Sequence, residues 1–392
     1  MGHSGKGGCR MKIKLSDIRD FLKRSDLLLF AVCLACAIFG LVIISSATKS
    51  YGSTKYIYVQ SAALIIGIAL YFIFTVIDID IITDRWPILF VLEVVLLLLL
   101  IPFGQSDNTG NTGWIRFFGI GIQPSEIVKV IFIVLLAKQI SYQKEYHNIN
   151  SFFSIAQIAA HFAFLFALIL VVSSDLGSAL VFFFIFLVML FAAGVKIYWF
   201  LFGMAGLAVA VPLAWSHLFS DRQKDRILAP YDKTIDPQGY GINFQFFKAK
   251  MALSSGRTTG MGLYHGTQTQ SNLLPSKHAD FIFASVGEEL GMVGCCLIIV
   301  LLCFIIIRCV VVGLRSRSTF TMLICFGVAA TIFFQMFENV GMCIGLTPVI
   351  GLTLPFFSYG GSSLFTTFAA VGLVSGIHYR PKPLHYISYL SN

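Results

Sequence analysis

Ten stretches of about 20 predominantly apolar residues recur along this chain of 392 residues. Each stretch is long enough to cross the hydrocarbon core of a bilayer as a helix. The predicted spans are residues 27–47, 57–77, 86–103, 124–140, 154–173, 176–194, 197–214, 281–307, 320–345 and 355–377. Because a backbone in lipid must satisfy its own hydrogen bonds, the pattern predicts an all-α polytopic membrane protein.

Composition excludes the main alternatives to a membrane protein. Apolar residues make up 57% of the chain and charged residues only 12%, about half the share usual in soluble domains. A water-soluble fold of this size could not cover so much apolar surface with polar groups. A soluble enzyme, a disordered tail and a fibrous repeat are therefore excluded.

Lysine and arginine residues fix the predicted orientation. If both termini are cytoplasmic, the cytoplasmic segments hold sixteen of them and the short outer loops hold three. This bias satisfies the positive-inside rule, which also accounts for the net charge of +9 without a nucleic-acid partner. We therefore expect a multi-pass membrane protein, in contact with membrane lipid, with cytoplasmic N- and C-termini.

The spans divide the chain into five predicted parts, with one long extracytoplasmic loop between the seventh and eighth spans. These parts are a basic cytoplasmic tail (1–26), helices 1–7 (27–214), the large loop (215–279), helices 8–10 (280–378) and a cytoplasmic tail (379–392). Within the large loop, residues 242–253 hold three phenylalanines followed by two lysines, Lys248 and Lys250, which are expected on the wet side of a helix. We expect this segment to form a mobile amphipathic helix in the plane of the membrane interface.

Ionisable residues at membrane depth are costly and are functional candidates. Glu126 and Lys129 share one face of the fourth span, just after a Gln123-Pro-Ser helix start. One interpretation is a structural ion pair that caps the helix. The other is a positive charge that Glu126 orients towards an anionic headgroup.

Asp280 stands where the long loop enters the eighth span, beside Lys277 and His278. It is either the N-cap of that helix or a general base or metal ligand at the water–lipid boundary. Glu288 lies eight residues further on, about 12 Å deeper at the helical rise, and is expected to line the same cavity. Glu289 faces away, and both acids need partners such as Lys129 or a loop arginine.

Two further features suggest an outward-facing polar site. One is a group of basic residues that forms either a solvated face or a clamp for phosphate: Arg222, Lys224, Arg226 and Lys277. The glycines of the stretch 355–363 permit close backbone approach, and its serines can cap the last helix. From the residues alone a transporter, a lipid flippase and an enzyme acting on a lipid-linked substrate remain open.

Several motifs occur in a fixed order along nearly the whole chain. They are Gln123-Pro-Ser-Glu126-Ile-Val-Lys129, Asp175-Leu-Gly177, Arg226-Ile-Leu, Gly266-Thr-Gln-x-Gln270, Leu274-Pro275, His278-Ala-Asp280-Phe-Ile-Phe-Ala284, Glu288-Glu-x-Gly291, Asn339-Val-Gly-Met342, Gly345-Leu-x-Pro348 and Pro355-Phe-Phe-Ser-Tyr-Gly-Gly-Ser-Ser363. Together these motifs resemble the SEDS family (RodA, FtsW and SpoVE), and the chain looks more like RodA. The chain departs from the family pattern at Ala279, where Thr is common, at Ser174, which replaces a Pro, and at Gly113 before Trp114.

The resemblance implies a peptidoglycan glycosyltransferase of the bacterial cell (inner) membrane. It polymerises lipid II during cell elongation or division, together with a class B penicillin-binding protein. It implies an inverting displacement of undecaprenyl pyrophosphate from the undecaprenyl-linked glycan, with Asp280 as the essential acid. Asp280 would act as a base or hold a divalent cation (Mg²⁺ or Mn²⁺), no cofactor being certain, while Lys129 and Glu126 support the leaving group. Expected substrate-binding residues are Trp114, Gln123, Ser125, Asp175, Arg226, His278, Glu288, Ser358, Tyr359, Gly360 and Gly361. A lipid II flippase and a non-catalytic scaffold for the transpeptidase are the alternatives.

Overall fold

The computed structural model describes residues 25–79, 83–105, 112–117, 120–217, 221–232, 234–239, 241–316 and 318–379. The predicted terminal tails, residues 1–26 and 379–392, lie almost entirely outside these ranges. Nearly all the regular structure within the ranges is helical, which confirms the all-α prediction.

Ten long helices lie where the ten spans are predicted. They are α1 (Leu27–Thr48), α2 (Lys55–Val76), α3 (Trp86–Leu98, continued by the short α4, Leu100–Phe103), α5 (Pro124–Tyr146), α6 (Phe152–Ser173), α7 (Leu176–Ala193), α8 (Ile197–His217), α12 (Ile282–Arg315), α13 (Thr319–Ile344) and α14 (Gly361–Tyr379). Eight helices of the described residues are long and apolar enough to cross a membrane. The remaining two are α5, which carries the charged Glu126 and Lys129, and α14, which is rich in Ser, Thr and Gly.

The connections contain more structure than the sequence suggests. The expected loop 104–123 holds a small antiparallel sheet in the order β1 (Gly104–Gln105), β2 (Trp114–Phe117), β3 (Ile120–Ile122). The long loop holds α9 (Asp221–Leu228), α10 (Phe244–Ser255) and α11 (Thr267–Gln270).

The α10 helix corrects one prediction. Phe246, Ala249 and Ala252 on one of its faces are buried, and the helix packs against α12 and α13. A side chain at Gly345, the end of α13, would lie 2.7 Å from the Phe246 ring. The buried face of this helix therefore packs on the protein and not on lipid, contrary to expectation. Its expected position in the plane of the membrane interface stays a prediction.

The bundle is built around tightly packed inner helices. Helix α2 packs along α14, and α12 packs along both α13 and α1. Gly372 allows the first of these contacts, because a Cβ there would lie only 2.6 Å from the backbone oxygen of Tyr71. By contrast, α8 exposes nearly its whole length.

One end of the bundle is closed by Asp26, and we call it the Asp26 end. Its carboxylate caps α1 through the Leu29 amide and accepts a hydrogen bond of 2.7 Å from Arg308 Nε. Its backbone is tied to Ser375 Oγ and to the Tyr71 hydroxyl. Helix α1 begins here and α14 ends here. The opposite end, where α12 and α14 begin, is called the Asp280 end.

Helix α12 is broken near the Asp280 end. Gly291 has φ 68° and ψ −163°, a backbone conformation that favours glycine. The amide groups of Met292 and Val293 are therefore free to bond the loop carbonyls of Arg257 and Thr258. The break lets the long loop pair with the backbone of a membrane helix.

The last span begins later than predicted. Residues 355–360 form turns, and helix α14 starts at Gly361. Phe356 has φ 67°, and its carbonyl lies so close to Gly40 that a Cβ there would be 2.7 Å away. The expected helix start at 355 is wrong because this backbone is bent to meet α1.

Candidate active site

The segment Lys277–Asp280 is held by its backbone. Each of its four carbonyl oxygens accepts a hydrogen bond from another part of the chain. In order, the donors are Ser285 Oγ (2.9 Å), Tyr359 N (2.8 Å), Ser358 Oγ (2.7 Å) and Asn339 Nδ2 (2.8 Å). The position of the Asp280 backbone is therefore fixed without using its carboxylate.

Asp280 is half-buried at the end of the bundle. The N-cap of α12 is Phe281, so Asp280 lies one residue outside the cap position and the N-cap interpretation is wrong. A Cβ at Gly351 would lie 3.5 Å from Asp280 Oδ2, so the backbone of 350–352 passes close to this carboxylate. Glu338 is buried and lies close enough to Asp280 to interact with it electrostatically.

Asn339 is a positioning residue to which the sequence analysis assigned no role. Its side-chain amide is fully buried and donates to two carbonyls, those of Asp280 (2.8 Å) and Leu352 (2.7 Å). It thereby joins α13, the start of α12 and the segment before α14. Its place in the Asn339-Val-Gly-Met motif was the available signal, but the motif does not say what the amide binds.

Gln60 of α2 is the second positioning residue that the sequence analysis missed. Its Nε2 donates to the carbonyl of Ser358 (3.0 Å), and its Oε1 accepts from the amide of Gly360 (3.1 Å). Ser358, Tyr359 and Gly360, expected to bind substrate, thus form a clamped turn that supports the Asp280 segment. Gly361 begins α14.

His278 is surrounded by aromatic rings. Its ring centroid lies 4.8 Å from Tyr56, 5.4 Å from Tyr359 and 5.6 Å from Tyr51. Burial, and secondarily the charge of Lys277, lowers the pKa of His278 to about 4. His278 is therefore neutral near pH 7 and supplies an uncharged surface beside Asp280.

Lys277 does not belong to a basic mouth, as the sequence analysis expected. It is fully buried, and its Nζ donates to Ser50 Oγ, to the Thr269 carbonyl and to Asn272 Oδ1. Burial lowers its pKa to about 8. Lys277 is an internal anchor between the end of α1 and the long loop.

The other members of the expected basic mouth lie in α9. Lys224 is 3.7 Å from Asp221, and the side chains of Arg222 and Arg226 lie outside the described residues. The expected contact of Arg226 with substrate stays a prediction.

Glu288 binds the long loop and does not line a cavity with Asp280. It has no exposed surface, and each oxygen of its carboxylate accepts two hydrogen bonds. The donors are Thr267 Oγ1 (3.0 Å), Gln268 N (2.7 Å), Thr269 N (2.8 Å) and Thr269 Oγ1 (2.6 Å). Its predicted partners, Lys129 or a loop arginine, are wrong, and its expected substrate contact is replaced by an internal one.

Glu289 has a similar structural role on the other side of the helix. Its carboxylate accepts from Ser46 Oγ (2.5 Å) and from Gln270 Nε2 (2.9 Å). The Glu288-Glu-x-Gly291 motif therefore ties the long loop to α12 and α1.

Glu126 and Lys129 form the predicted ion pair. Lys129 Nζ lies 2.8 Å from Glu126 Oε2, and both residues are 5% exposed. Lys129 also lines a small cavity between α5, α13 and α14, together with Thr331, Thr366 and Thr367. The pair is thus buried in the bundle, and its lysine shares the lining of this cavity with three threonines.

Gln123, Ser125 and Asp175 belong to one internal network. Asp175 caps α7 through the Ser178 amide (3.0 Å) and accepts from Gln123 Nε2 (2.9 Å). Ser125 Oγ lies 3.3 Å from Ser178 Oγ. These residues, expected to bind substrate, join the starts of α5 and α7.

This network reaches the surroundings of Asp280 through Gly177. A Cβ at Gly177 would lie 2.7 Å from the side chain of Ile350 and 3.2 Å from that of Leu352. Leu352 is the residue whose carbonyl Asn339 also binds. The starts of α5, α7, α12 and α14 therefore meet at the Asp280 end.

Trp114 lies in β2 and is half-buried. Its ring packs on Gly121 of β3, where a Cβ would be 3.0 Å from it. Thr112, just before the strand, is bonded to the carbonyls of Val172 and Ser173 at the end of α6. The small sheet is thus fastened to the same end of the bundle.

The comparisons with known proteins agree with this arrangement. Residues 26–382 match the family model FTSW_RODA_SPOVE, described as a cell cycle protein. The chain belongs to this family. It is similar to the peptidoglycan glycosyltransferase MrdB of Escherichia coli K12, with 33% identity over 304 residues, 77% of this chain and 80% of MrdB.

Two solved structures are also similar. One is a chain of a peptidoglycan synthase complex studied for its coordination of polymerization and crosslinking, with TM-score 0.76, 29% identity and coverage of 90% of this chain and 97% of that one. The other is the rod shape determining protein RodA of Thermus thermophilus, with TM-score 0.66, 26% identity and coverage of 90% and 96%. The similarity to MrdB and RodA fits the predicted RodA-like character.

Proposed function

We propose that Asp280 is the general base with which this peptidoglycan glycosyltransferase joins lipid II molecules into β-1,4 glycan strands. The observation that carries the proposal is the way the Asp280 segment is held. Four hydrogen bonds end on the backbone carbonyls of residues 277–280 and fix the position of this segment. A preorganised acid of this kind is suited to proton transfer.

The reaction is a single inverting displacement. The 4-hydroxyl of the acceptor's GlcNAc attacks the anomeric carbon of the donor's MurNAc, and the bond to undecaprenyl pyrophosphate breaks. Asp280 takes the hydroxyl proton as the new bond forms. The electron pair of the broken bond leaves with the pyrophosphate, whose negative charge needs a cation.

Lys129 is the proposed source of that positive charge. Glu126 holds its ammonium group at 2.8 Å, and the cavity beside it is lined by threonines. A positive charge in a bundle interior acts strongly on a developing anion, because the local dielectric constant is low.

The surroundings of Asp280 also suit a divalent cation chemically. The described residues contain no group of three or more His, Cys, Asp or Glu that could hold a metal. Asp280 with the nearby Glu338 and the amide oxygen of Asn339 nevertheless supplies oxygen donors, which suit Mg²⁺ with several waters. Bound there, the cation would neutralise pyrophosphate charge.

The proposed orientation places the Asp280 end outside the cell and the Asp26 end in the cytoplasm. Arg308 binds Asp26 at the Asp26 end, as the excess of cytoplasmic lysines and arginines requires. In a chain freed of its nine native cysteines, a cysteine at Ser254 should react with a membrane-impermeant thiol reagent from outside. A cysteine at Ser316 should not, and the reverse labelling would invert the orientation.

The proposed partner is a class B penicillin-binding protein that crosslinks the new strands. Support comes from the similarity to a chain of a synthase complex that coordinates polymerization and crosslinking. The assay of the proposed function therefore includes this partner.

The test is polymerisation of purified lipid II by the purified chain with its transpeptidase. Asp280→Asn should lower the rate by at least about a hundredfold, the lower range for removal of a general base, while the thermal unfolding temperature stays unchanged. Full activity of Asp280→Asn would remove Asp280 from the mechanism. A wild-type chain that moves lipid II across vesicles without forming glycan would favour the flippase alternative.

A further inference from the structure

We propose that Tyr51, Tyr56, His278 and Tyr359 form an aromatic platform that binds the acceptor sugar next to Asp280. The proposal rests on the function proposed above, since it names the part of the substrate that this site takes. The four rings come from four chain segments: the turn after α1, the start of α2, the long loop and the turn before α14. They meet around His278, two residues before Asp280.

Each ring is placed by a bond that does not involve the ring itself. Ser50 receives a hydrogen bond from the buried Lys277 and so fixes the neighbouring Tyr51. Tyr56 lies one helical turn before Gln60, whose amide clamps the turn that contains Tyr359.

The backbone amide of Tyr359 donates to the His278 carbonyl at 2.8 Å. This bond couples two members of the platform directly, and it does not depend on the side chain at either position. A preorganised surface of this kind loses little conformational entropy when a ligand binds.

The platform is accessible. Tyr51 is 38% exposed, and Tyr56, His278 and Tyr359 are all half-buried. Neighbouring rings lie at tilted or edge-on angles, with centroids 4.8–5.6 Å apart in each contact with His278, so none of these contacts is a parallel stack. Half-exposed aromatic faces with a few polar groups are typical of sites for small organic ligands.

Charge decides which part of the substrate fits. Burial lowers the pKa of His278 to about 4 and raises those of Tyr51 and Tyr359, so all these rings are neutral near pH 7. Lys277 lies beneath the Tyr51 ring at 4.6 Å, but its ammonium group already serves three oxygens inside the protein. The platform therefore suits an uncharged sugar ring and not the pyrophosphate.

The closeness of His278 to Asp280 in the chain favours the acceptor sugar as the ligand of the platform. Asp280 must reach the 4-hydroxyl of the acceptor's GlcNAc, so the surface two residues away lies beside the ring that carries this hydroxyl. A GlcNAc ring offers an apolar face on which the aromatic rings can pack.

The test is binding of the soluble disaccharide GlcNAc-β-1,4-MurNAc to the purified full chain, measured by calorimetry. Tyr56→Leu and Tyr359→Leu should each weaken binding about three- to tenfold, whereas Tyr56→Phe and Tyr359→Phe should stay within about twofold. Tyr58→Leu is the matched control, because Tyr58 lies on the same helix, is 72% exposed and is not a member of the platform. In polymerisation the leucine variants should raise KM for the acceptor and leave kcat nearly unchanged.

Three results would overturn the proposal: no binding of the disaccharide, equal effects of Tyr56→Leu and Tyr58→Leu, or competition by inorganic pyrophosphate. Thermal unfolding of each variant identifies any loss that comes from misfolding, and the phenylalanine variants then decide the question. Asp280→Asn should bind the disaccharide like the wild type. An active Asp280→Asn variant would refute the proposed base, while the binding comparison would still decide the platform.

Discussion

Asp280 and Glu288 are acids eight residues apart at the start of one helix, yet the protein treats them in opposite ways. At Glu288 the hydrogen bonds end on the carboxylate, which accepts four of them and is fully buried. In the segment that ends at Asp280 they end on the backbone carbonyls, and the side chain is half-buried. The first arrangement uses an acid to hold a loop, and the second holds the chain so that an acid can act.

This difference distinguishes a structural acid from a catalytic one, although both occur in sequence motifs and look the same there. A buried carboxylate is stable only when its oxygens are satisfied, and four donors satisfy Glu288. A catalytic carboxylate must keep its oxygens available to substrate while its position stays fixed. Bonds to backbone carbonyls fix such a position directly, as the bonds to the carbonyls of Ala279 and Asp280 do.

A large loss of stability is expected from removing the Glu288 carboxylate. Glu288→Ala leaves two amides and two hydroxyls of residues 267–269 without an acceptor, which should cost about 3 kcal/mol or more in the free energy of unfolding. A clear drop in the thermal unfolding temperature in detergent would show this. Glu288→Gln keeps one acceptor oxygen and should lose less. An unchanged unfolding temperature in Glu288→Ala would contradict the structural role.

Changes at the Glu126–Lys129 pair should affect both the stability of the protein and its turnover. Lys129→Met leaves Glu126 as a buried unpaired charge, and breaking such a pair costs about 3–5 kcal/mol. The double variant Glu126→Gln/Lys129→Met removes both charges and should recover much of that stability. If Lys129 stabilises the leaving pyrophosphate, turnover stays low in the double variant and is higher in Lys129→Arg. Normal turnover in a folded double variant would reduce the pair to a structural role.

The smallest of these effects is expected at Asn339. Asn339→Leu keeps the approximate volume but loses the bonds to the Asp280 and Leu352 carbonyls, which should cost about 1–3 kcal/mol. Turnover should fall about tenfold because the backbone of Asp280 is no longer fixed. Asn243→Leu is the control: Asn243 is also buried and donates to the Ala229 carbonyl, far along the chain from Asp280. Equal turnover losses in both variants would argue against a special role of Asn339.

The sequence predicted the helices well because apolar length is a local property. The spans from 27 to 214 end within a few residues of the observed helices, and the turn at Ser174-Asp175 lies where expected, with Asp175 as the cap of α7. The break at Gly291 and the late start of α14 were missed. Both depend on contacts with distant backbone, such as Thr258 and Gly40, which no local pattern records.

The site was predicted in part. The Glu126–Lys129 pair needs only helical spacing, so the sequence sufficed. The roles of Glu288 and Lys277 depend on donors and acceptors that the long loop brings from residues 267–272. An acid or a lysine at a motif position therefore predicts a functional or structural role for that position, but it does not predict which atoms the side chain binds.

The most direct measurement compares Asp280→Asn with Glu288→Gln in one assay. Both replace a carboxylate by an amide, and both variants are assayed for lipid II polymerisation per folded molecule and for thermal unfolding. We expect Asp280→Asn to unfold like the wild type and to form almost no glycan, whereas Glu288→Gln should unfold at a lower temperature and retain its activity per folded molecule. A stable but inactive Glu288→Gln together with an active or unstable Asp280→Asn would contradict this expectation.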